Sequence, residues 1–184
     1  MENTQSAFER FEVVKCGPYR FIGSSVYLGN KAPGEWPANN RKRFDIHEML
    51  WNLSGWIFDE LDKIKEYNSN EPHNAALFTW DKYDGKNELY GYYIGRFMKA
   101  DTPVPNGMDY FDITEEYLAK AWRKGKRGDI FGDMLIYAEG ECKDEIGRTG
   151  LYKQSSNYLM VEMYPGPDEN SEFYVGTFCP CEKI

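Results

Sequence analysis

Histidine and cysteine are scarce in this chain. Among 184 residues there are two histidines, His47 and His73, and four cysteines, Cys16, Cys142, Cys179 and Cys181. No Cys-x-x-Cys pair occurs, and Cys179-Pro180-Cys181 has neither redox nor zinc spacing. The expectation is therefore no metal site and no cofactor. His47 reads as the opening of a helix and His73 as a loop residue, so neither has a nucleophile to serve. A long apolar run is also missing, which excludes a membrane-spanning helix. The polar start Met1-Glu2-Asn3-Thr4-Gln5 is no signal peptide, so a cytoplasmic protein with reduced thiols is expected. There is no excess of basic charge either. Lys and Arg number 22 against 30 Asp and Glu, a net charge of −8, which argues against nucleic-acid and anionic-membrane partners. The one basic run, Arg123-Lys124-Gly125-Lys126-Arg127, is short and reads as a solvated loop. Nucleotide-binding glycine loops and a Gly-x-Ser-x-Gly elbow are absent as well; Tyr90-Gly91-Tyr92-Tyr93-Ile94-Gly95 lacks the loop spacing.

Aromatic residues, in contrast, are plentiful: Tyr 14, Phe 11 and Trp 5. They sit in segments of strand character. Phe11 to Val14 and Tyr19 to Leu28 read as strands flanking Gly17-Pro18. A helix is expected from about Ile46 to Tyr67, capped by Asp45, with Ile46, Met49, Leu50, Leu53, Ile57, Leu61 and Ile64 as its buried stripe. Ala75 to Trp80 and Glu88 to Met98 form a hairpin about Asp84-Gly85. After the linker from Asp101 to Gly107 the same order recurs. A strand region runs from Met108 to Trp122, broken near Thr114-Glu115. A helix capped by Asp129 carries Ile130, Phe131, Met134, Leu135 and Ala138. The strand from Asn157 to Tyr164, the turn Pro165 to Asn170 and the strand Glu172 to Pro180 complete the set. Glu88-Leu89-Tyr90-Gly91 echoes Glu172-Phe173-Tyr174-Val175. This is β-α-β-β written twice, an α+β chain of one domain spanning 1–184, with module one at about 9–100 and module two at about 106–184.

One residue departs from the pattern around it. Glu162 lies in Tyr158-Leu159-Met160-Val161-Glu162-Met163-Tyr164, where nearly every neighbour is bulky and apolar or aromatic. A strand apolar on both faces is covered on both faces, so its carboxylate is expected to be partly desolvated. Such a group must be hydrogen-bonded, protonated or met by a cation. The cation can belong to a ligand, or it can be a side chain such as Lys153 or Arg123.

Three stretches taken together resemble the gyrase-inhibitor-like small-molecule-binding domain, the effector-binding domain of AraC- and MerR-type regulators. They are Val13-Val14-Lys15-Cys16-Gly17-Pro18-Tyr19-Arg20-Phe21-Ile22-Gly23, Asp112-Ile113-Thr114-Glu115-Glu116-Tyr117-Leu118-Ala119, and Val161-Glu162-Met163-Tyr164 before the last hairpin. The resemblance implies two pseudo-twofold-related β-α-β-β modules sharing a curved antiparallel sheet, with a ligand groove between them. It places Glu162 where multidrug-sensing members carry a carboxylate that meets lipophilic cations among aromatics. Other free-standing members hydrolyse cyclopropane-bearing alkylators, and some relatives bind DNA gyrase. No helix-turn-helix region precedes Phe11, so a solitary ligand-binding domain without a DNA-binding module is expected.

Two chemistries follow for Glu162. As an ionised counter-ion it would hold a cation under aromatic faces, each cation–π contact adding roughly 0.5–2 kcal/mol. As a general base it would activate water against a strained electrophile, with Tyr164, two residues on and on the same face, as phenol donor. Tyr117, Trp122 and Phe178 are the candidate pocket aromatics of the second module, and Trp80, Tyr90, Tyr92, Tyr93 and Trp51 those of the first; Phe131, Met134 and Tyr137 join from the second helix. Each has an alternative reading as an ordinary core residue, the main one for Phe178, Phe131, Met134 and Tyr137, and Tyr93 must point away from Tyr90 and Tyr92. The expected partner is a bulky lipophilic small molecule, in drug or genotoxin protection. A hydrolase and a protein-interaction module are the alternatives.

Overall fold

The computed structural model describes residues 8–30, 48–83, 88–130, 133–156, 159–168 and 170–184. It is α+β and consists of two compact units, Gly17–Thr114 on the one hand and Met1–Cys16 with Glu115–Ile184 on the other. Within each unit every strand pairing is antiparallel. No helix among the described residues is long and apolar enough to cross a membrane.

The unit Gly17–Thr114 contains strands β2 (Tyr19–Asn30), β3 (Asn74–Tyr83), β4 (Glu88–Lys99) and β5 (Asp109–Ile113) in the order β3-β4-β2-β5. β3 and β4 form the expected hairpin, whose turn at 84–87 lies outside the described residues. Phe21, Ile22, Leu77, Ile94, Phe97 and Met98 are almost fully buried, so both faces of β2 and β4 are covered. The expected long helix is interrupted. Residues 48–52 are helical, Leu53 turns with its N–H on the Leu50 carbonyl, and α1 spans Ser54–Asp62, followed by a 3-10 turn at Lys65–Tyr67. The break rotates the expected stripe: Leu50, Ile57 and Leu61 are buried, but Met49 and Leu53 are about half exposed, at 52% and 51%. The proposed cap Asp45, and Ile46, lie outside the described residues.

The second unit contains β1 (Arg10–Cys16), β6 (Glu116–Gly125), β7 (Tyr152–Gln154), β8 (Leu159–Pro167) and β9 (Phe173–Lys183). Its sheet order is β1-β6-β9-β8, with β7 also on β9. The expected break at Thr114-Glu115 separates β5 from β6. Helices α2 (Arg127–Ile130) and α3 (Asp133–Arg148) follow β6, and Asp129 lies inside α2 instead of capping a helix. Ile130 and Ala138 are buried as expected, whereas Phe131 lies outside the described residues.

β8 also runs on past its expected end. Pro165-Gly166 is no turn. The register with β9 shifts between Met163 and Gly166, a bulge that Gly166 accommodates at φ +93°. The reversal comes at Asp168, whose carboxylate accepts the N–H groups of Asn170 and Glu172 at 2.8 and 3.0 Å. That carboxylate also meets Lys124 Nζ at 3.0 Å.

Candidate functional site: a carboxylate and a phenol on β8

Alternation along β8 puts Val161 and Met163 on one face, both fully buried, and Glu162 and Tyr164 on the other, both half-buried. Leu159 and Met160 are buried too, so the carboxylate is set in apolar surroundings. The Tyr164 hydroxyl donates a hydrogen bond to Glu162 Oε2. The phenol fills one acceptor site of a carboxylate that has lost part of its water.

The register places Glu162 directly opposite Thr177 on β9, and Thr177 opposite Ala121 on β6. Cross-strand partners share a face, so Glu162, Thr177, Cys179, Ala119 and Ala121 lie on one side of this sheet. Helix α3 covers that side. Cys142 Sγ donates to the Thr177 and Ala119 carbonyls at 3.7 and 3.8 Å. A hydrogen bond with Cys142, reinforced by burial, pushes the Cys179 thiol well above its ordinary value. Burial pushes the Cys181 thiol up to about 11. These thiols stay protonated at neutral pH and are poor nucleophiles.

The two side-chain cations considered as partners for Glu162 have other carboxylates. Arg123 pairs with Glu141 of α3 and lies 4.6 Å from the Phe8 ring centre. Lys153 pairs with Glu182 at 3.4 Å. Burial lowers the Arg123 guanidinium from its ordinary value.

The remaining expected site residues fall into separate groups. Trp122 and Phe178 stack edge-to-face at 5.3 Å, with Lys120 5.2 Å from the Phe178 ring centre and Arg10 5.1 Å from that of Trp122. Phe178 is opposite Val161 in register, so this group occupies the sheet face away from Glu162. Tyr117 shares the Glu162 face but is opposite Cys181, four residues, or about 13 Å, along β9 from Thr177. There it packs on Tyr152 at 5.6 Å and under Lys183 at 5.1 Å.

In the other unit, Trp51 Nε1 donates to the Tyr92 hydroxyl at 2.9 Å. Tyr92 stacks on Phe78 at 4.9 Å, and Trp51 packs on Phe58 at 6.5 Å. Tyr93 is on the opposite face of β4, where it hydrogen-bonds the Tyr27 hydroxyl and packs edge-on to Phe21. The side chains of Trp80, Tyr90, Met134 and Tyr137 lie outside those described, as does Phe131 altogether.

Thr177, Phe78 and Lys120 escaped the sequence reading. Only register could have identified Thr177, because nothing in its own strand distinguishes it from a packed β-branched residue. Among the described residues no group of three or more His, Cys, Asp and Glu could hold a metal ion.

No protein-family model matches the chain, and no curated protein matches it. Solved structures do. SAV2435, solved bound to tetraphenylphosphonium, is similar with a TM-score of 0.62 at 10% identity, over 94% of both chains. A Staphylococcus aureus MU50 protein, solved as a candidate for bacterial transcription regulation, is similar with a TM-score of 0.59 at 11% identity, over 94% of this chain and 98% of that one. EcmrR in its complex with DNA is similar with a TM-score of 0.52 at 12% identity, over 95% of this chain but 58% of that one. At these identities the likeness is one of fold.

Proposed function

We propose that this chain binds bulky lipophilic small molecules, cations above all, with Glu162 as the counter-ion and Tyr164 as the group that holds its carboxylate ionised and oriented. The single observation that carries the reading is the Glu162–Tyr164 hydrogen bond on a strand whose flanking residues are buried and apolar. A carboxylate there has less water to compete with a ligand, and a diffuse organic cation, being weakly hydrated, loses little on entering. The fold shared with SAV2435, solved with tetraphenylphosphonium, supports the same reading. The gyrase-inhibitor-like assignment and the arrangement of the chain as two pseudo-twofold modules belong to this proposal, as does a role in protection from drugs or genotoxins.

Hydrolysis of a strained alkylator is the second reading, because the same pair offers a carboxylate base beside a phenol. The two readings part at the ligand, which a binder returns unchanged and a hydrolase consumes.

Titration of tetraphenylphosphonium by calorimetry tests the proposal. Wild type is expected to bind, and Glu162→Gln to bind at least about tenfold more weakly, the scale of one charge-assisted contact of ~1.5 kcal/mol. Equal affinity for wild type and Glu162→Gln would remove Glu162 from the site. Mass spectrometry of a cyclopropane-bearing alkylator after incubation separates the second reading, for which a water adduct must form with wild type and not with Glu162→Gln.

A further inference from the structure

Arg96, on β4, is 7% exposed and joins three elements. Its Nη1 donates to Asp62 Oδ1 of α1 and its Nη2 to Asn74 Oδ1 of β3, each at 2.8 Å. Its Nε–H is buried and has no hydrogen-bond partner among the described residues. The same holds of Asn68 Oδ1, which is buried too. A desolvated donor and a desolvated acceptor, both unsatisfied, are each unfavourable unless something meets them.

The backbone brings the two together. Pairing of β3 with β4 starts at Asn74, opposite Arg96. Two residues further along β4 the place of β3 is taken by Asn68, bridged to Met98, and the next N–H, that of Ser69, donates to the Phe97 carbonyl at 3.2 Å. Arg96 and Met98 project from one face of β4, so Asn68 and Arg96 are diagonal neighbours, about 7–8 Å apart. Nε–H lies on the same edge of the planar guanidinium as Nη2, which Asn74 holds from the β3 side. An occupant between Nε and Oδ1 must accept from the one and donate to the other. A carboxylate or phosphate has no proton to donate, and an ammonium has no lone pair to accept with. Water does both, and two polar partners are enough to hold it. The charged neighbours leave that choice unchanged. Asp62 already pairs with Arg96, and neither His73 nor Glu71 hydrogen-bonds Nε or Oδ1. Burial above all, and Arg96 besides, lowers the His73 imidazole from its ordinary value, while Glu71 acts the other way.

We infer that one buried water bridges Arg96 Nε and Asn68 Oδ1, and that it fastens the connection between α1 and β3 to β4 at the point where the β3 ladder has not yet begun. The inference is independent of the role proposed for Glu162.

A crystal structure of the full chain at about 1.5 Å resolution tests it, because internal waters are ordered at that level. The expected result is one water within hydrogen-bond distance, about 2.7–3.2 Å, of both atoms. Direct contact between Nε and Oδ1, no water between them, or a larger molecule in that place overturns the inference. Hydrogen–deuterium exchange then tests the fastening. Asn68→Leu, which removes the acceptor, is expected to speed exchange of the Ser69 amide by about tenfold, the scale of one lost hydrogen bond. Exchange at the wild-type rate in Asn68→Leu would overturn the fastening role.

Discussion

Trp122 and Phe178 can stack only because Gly176, opposite Trp122 and two residues before Phe178 on β9, has no side chain. A Cβ at Gly176 would fall 2.8 Å from the Phe178 ring and 2.9 Å from the Trp122 ring, inside van der Waals contact with two groups that have no flexible end to move aside. Gly176→Ala is therefore expected to destabilise the protein by about 1–3 kcal/mol, the usual cost of overpacking. Gly140, exposed in α3 with nothing within 4 Å of an added Cβ, is the control, and Gly140→Ala should be neutral or stabilising by up to ~1 kcal/mol. Urea unfolding followed by Trp fluorescence reads both. Equal midpoints for Gly176→Ala and wild type would mean that the two rings are not locked as described. The comparison also bears on function, since Trp122 and Phe178 owe their packing to this contact on the face away from Glu162, not to a ligand.

Among the elements, β5 is held to β2 by more than its five register pairs. Arg20 and Asp112 are directly opposed, and the guanidinium grips the carboxylate with Nε to Oδ1 at 2.6 Å and Nη2 to Oδ2 at 2.9 Å. Its third nitrogen, Nη1, donates to the Thr102 carbonyl at 3.0 Å, and the whole group lies 4.6 Å from the Tyr110 ring centre. Hydrogen bonding from Arg20 holds the Asp112 carboxyl below its ordinary value of 3.8. Because the folded-state value is the lower one, the contribution is complete above the unfolded value. It is lost as pH falls below about 4 and through the folded value. The stability difference between wild type and Asp112→Asn should thus be constant near neutrality and shrink as pH is taken from 4 towards 2. A difference that stays constant over that range would show that the pair does not couple to folding; its exposure to solvent keeps the expected effect small.

The same scale shows what could be read from sequence. β3, β4, β6 and β9 follow from runs of β-branched and aromatic residues, and the break at Thr114-Glu115 from two polar residues within such a run. The helix break at Leu53 did not follow, because 3.6-residue periodicity continues through Met49 and Leu53 to Ile57 although Met49 and Leu53 are exposed. Pro165-Gly166 reads as a turn and is a bulge, since the same glycine conformation serves both. For the candidate site, that Glu162 and Tyr164 share a face was legible because they are two residues apart on one strand. Thr177 was not, because pairing between β8 and β9, unlike alternation within β8, cannot be read from composition.

At the scale of the whole molecule the chain carries a net charge of −8, from 30 acidic residues against 22 basic ones. A field of that sign concentrates cations near the surface and steers them inward, and it is screened beyond about 10 Å at 0.1 M ionic strength. Glu162 is half-buried, so in the proposed counter-ion role its contact with a bound cation would be screened less than the field of the exposed acids. The two contributions can then be separated. Binding of tetraphenylphosphonium is expected to weaken between 20 and 500 mM salt, while a neutral lipophile of equal size should bind with no such decline. Glu162→Gln removes one acid of 30, so it should lower affinity at every salt concentration yet leave most of the salt slope in place. Fluorescence titrations across that range would decide it. A slope that vanished in Glu162→Gln would assign all of the electrostatics to one contact. A wild-type affinity indifferent to salt would mean that the acidic surface contributes nothing to cation capture.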